Sequence, residues 1–136
     1  MKSRVYLDER VVRLALRKAR EKVRRCVRLE DADSLCDVVH ELLQSFPARE
    51  AWVAKGLARY MLKTVHPLSR PPRSWTVDGV PALGDSYALY TVWMEGGRYT
   101  CTCFSHSYGY VRRARICTHI AAVMFFRRQR RLGEEE

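Results

Sequence analysis

The chain has 136 residues, 47% of them hydrophobic, and a formal net charge of +10. This length suits one small domain or a compact module with an extension, and the apolar content is enough for a core. The longest apolar run, from Ile120 to Phe126, falls far short of the ~20 residues that a membrane-spanning helix needs. Because no secretory h-region is evident either, the sequence predicts a soluble intracellular protein without membrane contact, cytoplasmic or associated with a nucleoid or nucleus.

The first of about three helices predicted in the N-terminal part of the chain has two distinct faces. Apolar residues repeat at helical spacing and should pack against a core: Val12, Leu16, Ala19, Val23 and Cys26. Arginines repeat beside them with the same period: Arg10, Arg13, Arg17, Arg20, Arg24 and Arg28. This cationic face is either a solvated helix surface or a nucleic-acid-binding surface in which Arg13, Arg17, Arg20 and Arg24 hold phosphates. Both interpretations stay open.

Two further helices are predicted before the chain changes character. Asp31 or Asp33 can cap a second helix, which should end near Phe46. Pro47 suits the first turn of a third helix, which should run to about residue 65.

Proline content then suggests how the chain is divided. Three prolines fall within residues 67–73, and the residue before a proline is pushed toward extended conformations. The sequence therefore predicts a basic helical region over 1–66, a proline-rich linker over 67–73 and a second domain over 74–132.

Four potential metal ligands lie near the C-terminus as two tight pairs, Cys101-x-Cys103 and Cys117-x-His119. Three thiolates and one imidazole suit tetrahedral zinc, and two close pairs separated by a loop are usual in small structural zinc sites. Because all four positions are protein ligands, none stays open for water. The pattern predicts one structural Zn²⁺, no catalytic residues, no enzymatic activity and no small-molecule substrate.

The spacing of the ligands also predicts local structure. Zinc-bound sulfurs lie within ~4 Å of each other, which a flat strand does not allow for residues two apart, so the chain should bend at Thr102. Residues two apart on a helix diverge by ~200°. Cys117 should therefore lie just before a helix and His119 in its first turn, where the helix dipole favours a thiolate and disfavours a protonated imidazole.

The same residues could have other roles. The cysteines could be small buried apolar side chains or disulfide partners, and His119 could be a hydrogen-bonded residue of the core. The chain has five cysteines, and an odd number argues against a disulfide framework. His106 is the nearest competing ligand. For Cys26 and Cys36 two interpretations stay open, namely ordinary buried thiols and an internal disulfide of the kind found in hyperthermophiles.

The sequence around the ligands has three further features. It opens with Trp75-x-Val77, it has strand-like stretches before the first pair, and it has an apolar run after the second pair. Residues 74–126 in this way resemble the SWIM zinc finger, whose pattern is Cys-x-Cys, a variable loop and Cys-x-His, preceded by short strands and followed by an apolar helix. The resemblance implies that Cys101, Cys103, Cys117 and His119 are zinc ligands. The expected fold class is α+β, with an N-terminal helical region of about three helices followed by a small zinc-stabilised β-sheet and a helix.

The resemblance also implies a DNA-binding or protein-interaction module. A small chain with a helical N-terminal half and a C-terminal SWIM finger is similar to the stand-alone SWIM proteins of Shu-type complexes, which partner RecA-family recombinase paralogues in homologous recombination. This similarity implies that the chain is an accessory factor in DNA recombination and repair, with DNA and a recombinase paralogue as partners. The alternative is a self-sufficient DNA- or RNA-binding protein, or a regulator that uses zinc only to fold.

The loop between the ligand pairs offers a second candidate nucleic-acid surface. Aromatic and basic residues interleave there: Phe104, Tyr108, Tyr110, Arg112, Arg113 and Arg115. Aromatics can stack bases while arginines hold phosphates, or the aromatics pack over the zinc site. The tail residues Arg127, Arg128, Arg130 and Arg131 either extend this surface or simply suit a helix C-terminus.

Two features upstream of the ligands have simpler expected roles. The stretch from Tyr87 to Met94 is apolar on both alternating faces, so either one face awaits a partner or the N-terminal helices cover it. Asp78 and Asp85 lie beside turn glycines, where aspartate is expected for local geometry.

Overall fold

The computed structural model describes residues 7–68, 73–103 and 117–135, with side chains described as far as residue 129 in the last segment. These residues form four α-helices and a four-stranded antiparallel sheet, which confirms the α+β class with the helical region first. In chain order the elements are α1 (Glu9–Val27), α2 (Ser34–Ser45), α3 (Glu50–Met61), β1 (Val65–Pro67), β2 (Ser74–Asp78), β3 (Leu89–Glu95), β4 (Arg98–Cys101) and α4 (Thr118–Glu135). A 3-10 turn lies between β2 and β3 at Pro81–Leu83.

Aspartates begin the first two helices. The side chain of Asp8 accepts a hydrogen bond from the backbone N–H of Arg10, and that of Asp33 accepts one from Cys36. Each bond satisfies an amide that has no partner within its helix. Of the two candidate caps for α2, the structure uses Asp33, whereas Asp31 forms ion pairs with side chains of α1.

The third helix is shorter at both ends than the sequence predicted, because it begins at Glu50 and ends at Met61. Lys63 adopts a left-handed backbone with φ of 61°. Its N–H bonds to the Tyr60 carbonyl, and the next N–H, that of Thr64, bonds to the Arg59 carbonyl. This closes the helix in a Schellman motif.

The residues after this closure belong to the sheet. β1 pairs antiparallel with β2, so that Val65 lies opposite Val77. Three residues near the predicted end of the third helix are therefore strand residues: Val65, predicted as the end of that helix, His66 directly after it, and Pro67, predicted as the start of a linker.

The sheet has the order β1-β2-β3-β4 and is covered on one face by α4. Tyr90 and Val92 of β3 are buried on that face and pack with Ile120 and Val123 of α4. The expectation that the N-terminal helices cover β3 is wrong, because α4 lies over this strand. Leu89 points to the opposite face and is exposed.

The helix α4 is apolar on two sides because it separates two cores. Ala121 and Phe125 pack with the N-terminal helices, whereas Ile120, Ala122 and Val123 pack with the sheet. A helix buried on both sides needs apolar residues around most of its circumference. Five of the seven residues from Ile120 to Phe126 are buried, and Met124 and Phe126 are partly buried. No helix among the described residues is long and apolar enough to cross a membrane.

Cys26 and Cys36 form a disulfide that joins the end of α1 to the first turn of α2. Both residues are buried. Of the two interpretations that the sequence left open, the structure has the disulfide, because the packing of the two helices brings the Cα atoms of these cysteines to 5.2 Å, within the range that a disulfide spans.

Candidate metal centre

The four predicted ligands come together in one buried cluster at the edge of the sheet core. Their ligand atoms all lie within 4.8 Å of one another. Cys101 is the last residue of β4, the chain turns at Thr102, and Cys103 follows the turn. Cys117 directly precedes α4, and His119 lies in the first turn of that helix. The local geometry predicted from the spacing is therefore confirmed.

The distances within the cluster fit a tetrahedral metal ion. The Sγ atoms of Cys117 and Cys101 lie 3.7 and 3.9 Å from Nδ1 of His119. Ligands bound tetrahedrally at ~2.0–2.3 Å from a metal lie roughly 3.5–3.8 Å apart. The imidazole would therefore bind through Nδ1, and the four residues could together hold a metal ion.

A buried carboxylate holds the other nitrogen of the imidazole. Nε2 of His119 lies 3.1 Å from Oδ1 of Asp85. Asp85 also accepts two hydrogen bonds from the guanidinium of Arg59, at 2.6 and 2.9 Å, and one from the backbone N–H of Val80 at 2.8 Å. The side chains of Arg59 and Asp85 are only 2% and 5% exposed. A carboxylate in this position keeps the proton on Nε2 and leaves the Nδ1 lone pair for a metal.

The ring of His119 is also fixed from its face. Tyr90 stacks on it, with ring centroids 4.0 Å apart and an interplanar angle of 22°. The Tyr90 hydroxyl accepts hydrogen bonds from the backbone N–H groups of Ser86 and Tyr87. The loop before β3 thus fixes Tyr90, and Tyr90 limits rotation of the imidazole.

Sequence reasoning missed both members of the buried ion pair. Asp85 does support local geometry through Val80, as predicted, but its bonds to Arg59 and His119 give it a larger role. The available signal was Arg59 itself, a cation within the inward-facing run of α3 that includes Val53 and Leu57. A charged side chain at such a position is almost never fully buried unless it is paired.

Without a metal, the pKa values of the side chains in the cluster shift in different directions. Burial alone would lower the pKa of His119, but Asp85 and the sulfurs of Cys103 and Cys117 raise it to about 10. Burial alone would raise the pKa of the Cys117 thiol, but hydrogen bonds from Cys101, Cys103 and His119 hold it well below its usual range. Contacts with the other two sulfurs, together with burial, raise the pKa of Cys101. Metal binding requires deprotonated ligands, so the raised pKa values of Cys101 and His119 oppose it and the lowered pKa of Cys117 favours it.

The Asp85 carboxylate stays charged in this environment. Burial alone would raise the pKa of Asp85, but hydrogen bonds from His119 and Arg59 and the charge of Arg59 outweigh it and hold the pKa well below its usual range. The site therefore contains a permanent anion that faces the imidazole.

The structure divides the predicted nucleic-acid contacts into three groups. Arg13, Arg17, Arg20 and Arg24 are all exposed on α1. The loop residues Phe104, Tyr108, Tyr110, Arg112, Arg113 and Arg115, and the competing ligand His106, lie outside the described residues.

The described tail arginines, which form the third group, have partners within the chain. Arg127 donates to the Tyr99 hydroxyl and lies over the ring of Trp75. Arg128 pairs with Asp37 and Glu41 of α2. These two side chains therefore help to dock α4, while the side chains of Arg130 and Arg131 lie outside the described set.

No protein-family model matches the chain, and comparisons with curated proteins and with solved structures also give no match.

Proposed function

We propose that this protein is a nucleic-acid-associated factor with one structural zinc ion, and that it acts in DNA recombination or repair together with a RecA-family recombinase paralogue. The observation that carries the nucleic-acid part is the row of exposed arginines on α1. The zinc part rests on the donor set of the buried cluster. The recombination part rests on the resemblance of residues 74–126 to SWIM fingers.

Zinc is the metal that suits the cluster best. Three sulfurs and one imidazole nitrogen are soft to borderline ligands, and a closed set of four is typical of structural zinc. The ion would join the tip of β4 to the start of α4. Structural zinc contributes ~10–16 kcal/mol in finger peptides, which is comparable to or larger than the net stability of a typical domain. When bound, the ion supplies this cross-link, and Asp85 and Tyr90 orient the imidazole toward it.

The arginine row on α1 is narrow and long. At 100° per residue, positions 10, 13, 17, 20 and 24 fall within about 80° of the helix circumference, and the 19 residues of α1 extend for about 28 Å. Guanidinium groups in such a line match the spacing of phosphates along a nucleic-acid backbone better than they match a single small anion.

The C-terminal part of this row carries positive charge that no other part of the described chain neutralises. Arg10 and Arg13 form exposed ion pairs with Asp8 and Glu9. Arg17, Arg20 and Arg24 form no ion pair with any described residue. These three side chains are therefore the best candidates for phosphate contacts.

A protein partner has separate support. Tyr87, two residues before β3, and Leu89, the first residue of β3, are 48% and 53% exposed. They belong to the segment for which the sequence left a docking role open. Exposed apolar side chains of this kind suit a protein more than a phosphate backbone.

The nucleic-acid function is tested by fluorescence anisotropy with labelled single- and double-stranded DNA over a series of salt concentrations. The triple variant Arg17→Gln, Arg20→Gln, Arg24→Gln should bind more weakly, and its slope of log affinity against log salt should fall by about 0.9 for each duplex phosphate that it no longer neutralises. The matched control is Arg49→Gln, Lys63→Gln, Arg98→Gln, which removes the same charge from exposed sites elsewhere and should keep the slope. Wild-type protein that binds neither DNA at low salt contradicts this function.

The recombinase partnership is tested by affinity purification from native lysate with and without nuclease. A RecA-family paralogue retained after nuclease treatment supports direct docking. Loss of the paralogue on nuclease treatment indicates tethering through DNA only.

A further inference from the structure

The N-terminal helices reach the metal centre through a close contact between α3 and α4. A Cβ atom placed on Gly56 would lie 2.6 Å from the Cβ of Ala121, which no real pair of side chains tolerates. Glycine inside a helix costs roughly 1 kcal/mol relative to alanine. Its presence in the middle of α3 allows the two helices to approach one turn away from Arg59.

From this position Arg59 holds the second ligand pair by two routes. Its Nε atom donates to the hydroxyl of Thr118 at 3.0 Å, and Thr118 is the residue between Cys117 and His119. Its two terminal nitrogens bind Asp85, which holds His119 through Nε2. One guanidinium therefore fixes both the backbone segment and the imidazole ring.

We propose that Arg59 is a positioning residue of the metal centre, and that the contact at Gly56 makes α3 a structural part of this centre. The N-terminal region then contributes to metal affinity although it supplies none of the four ligands. This inference rests on the metal site of the proposed function and is independent of its nucleic-acid part.

The chemistry of arginine explains why no other residue serves here. A guanidinium offers several N–H donors in one rigid plane, whereas a lysine ammonium is a point charge on a flexible chain. Lysine can keep the charge opposite Asp85, but it cannot bond Thr118 and both carboxylate oxygens together. Outer partners of metal-binding histidines typically change metal affinity by about 10–100-fold when they are replaced.

The test measures Co²⁺ and Zn²⁺ affinity of the full chain by competition with a chelator, and the visible absorption bands of bound Co²⁺, which report ligand geometry. Arg59→Lys should weaken binding by about 10–100-fold and shift the cobalt bands. Val53→Ala, a truncation in the core around α3, is the control for lost stability and should leave the bands unchanged. The proposal is overturned if Arg59→Lys has the same bands and metal affinity as the wild type. It is also overturned if Val53→Ala loses as much metal affinity as Arg59→Lys when the two variants have equal thermal stability.

Two milder variants keep the proposal testable if Arg59→Lys does not fold. Thr118→Val removes only the hydroxyl that Arg59 bonds, and Gly56→Ala pushes α3 away from α4. Each should weaken cobalt binding and shift its bands, and wild-type behaviour in both overturns the proposal. If the wild-type protein binds neither Co²⁺ nor Zn²⁺, the metal site of the proposed function itself is contradicted, which is a separate outcome.

Discussion

Asp85 and His119 lie far apart in the sequence, yet a carboxylate oxygen of one and Nε2 of the other are 3.1 Å apart. This contact connects the loop after the 3-10 turn to the first turn of α4. It also places the buried ion pair of Asp85 with Arg59 directly behind the candidate metal site. The first prediction follows from this position.

Replacement of Asp85 with alanine should destabilise the protein and weaken metal binding. The change leaves Arg59 buried without its partner, and breaking a buried pair in this way costs about 3–5 kcal/mol. Chemical denaturation measures the free energy of unfolding, and chelator competition measures the metal affinity.

Asp78 provides a matched control, because the sequence treats the two aspartates alike. Asp78 pairs with the exposed His66, and an exposed pair of this kind contributes about 0–1 kcal/mol. Asp78→Ala should therefore have little effect on either measurement. Equal losses in the two variants contradict the role assigned to Asp85.

Metal removal should loosen the part of the protein that the ligands join. A strong chelator should lower the melting temperature and increase hydrogen exchange at the start of α4 and the end of β4, because a bound metal would join Cys101 and Cys103 to Cys117 and His119 more strongly than the contacts among these side chains do. Acid should have the same effect, since protons compete with the metal for thiolates and imidazole. Cys103→Ser should reproduce the effect without chelator. Unchanged exchange at both places after complete metal removal is the contrary result.

The disulfide should stabilise the N-terminal helices. Cys26 and Cys36 are separated by 10 residues, and closing a loop of that size stabilises a protein by roughly 3 kcal/mol in the chain-entropy model. A reductant should therefore lower the melting temperature of the wild type but not that of Cys26→Ala, Cys36→Ala. Alkylation and mass spectrometry without reductant provide the direct check, and full labelling of both thiols rules the bond out.

The sequence predicted the four residues of the candidate metal site and missed the residues that support them, for a physical reason. Cys101, Cys103, Cys117 and His119 can be recognised because metal chemistry demands those side chains at short spacing. Asp85 and Arg59 come into contact only when α3, the sheet and α4 pack together. No local sequence pattern therefore predicts their contact.

The fold shows the same contrast between features that a local sequence pattern predicts and features that arise only from packing. The apolar face of α1 follows from helical periodicity, the buried part of α4 from a continuous apolar run, and the cap of α2 from one of two candidate aspartates. The end of α3 depends on Lys63 in a left-handed conformation, which glycine usually marks and lysine does not. The cover of β3 depends on the path of the chain after β4, which periodicity does not encode.

The ion-pair cluster between α1 and α2 should give a pH-dependent contribution to stability. Lys22 lies 2.9 Å from Asp31 and 2.5 Å from Asp33. Hydrogen bonds from Lys22 lower the pKa of both carboxyl groups. A depressed folded-state pKa stabilises the protein above the unfolded value of about 3.9 and loses that contribution as pH falls through the folded value. Lys22→Met should therefore melt below the wild type at pH 7, and the two should converge in strong acid. Lys18→Met, which removes an exposed lysine without an ion pair among the described residues, should show the same small difference at both pH values. A Lys22→Met deficit that persists unchanged in acid would mean that packing of the lysine stem, and not its charge, stabilises the junction of α1 and α2.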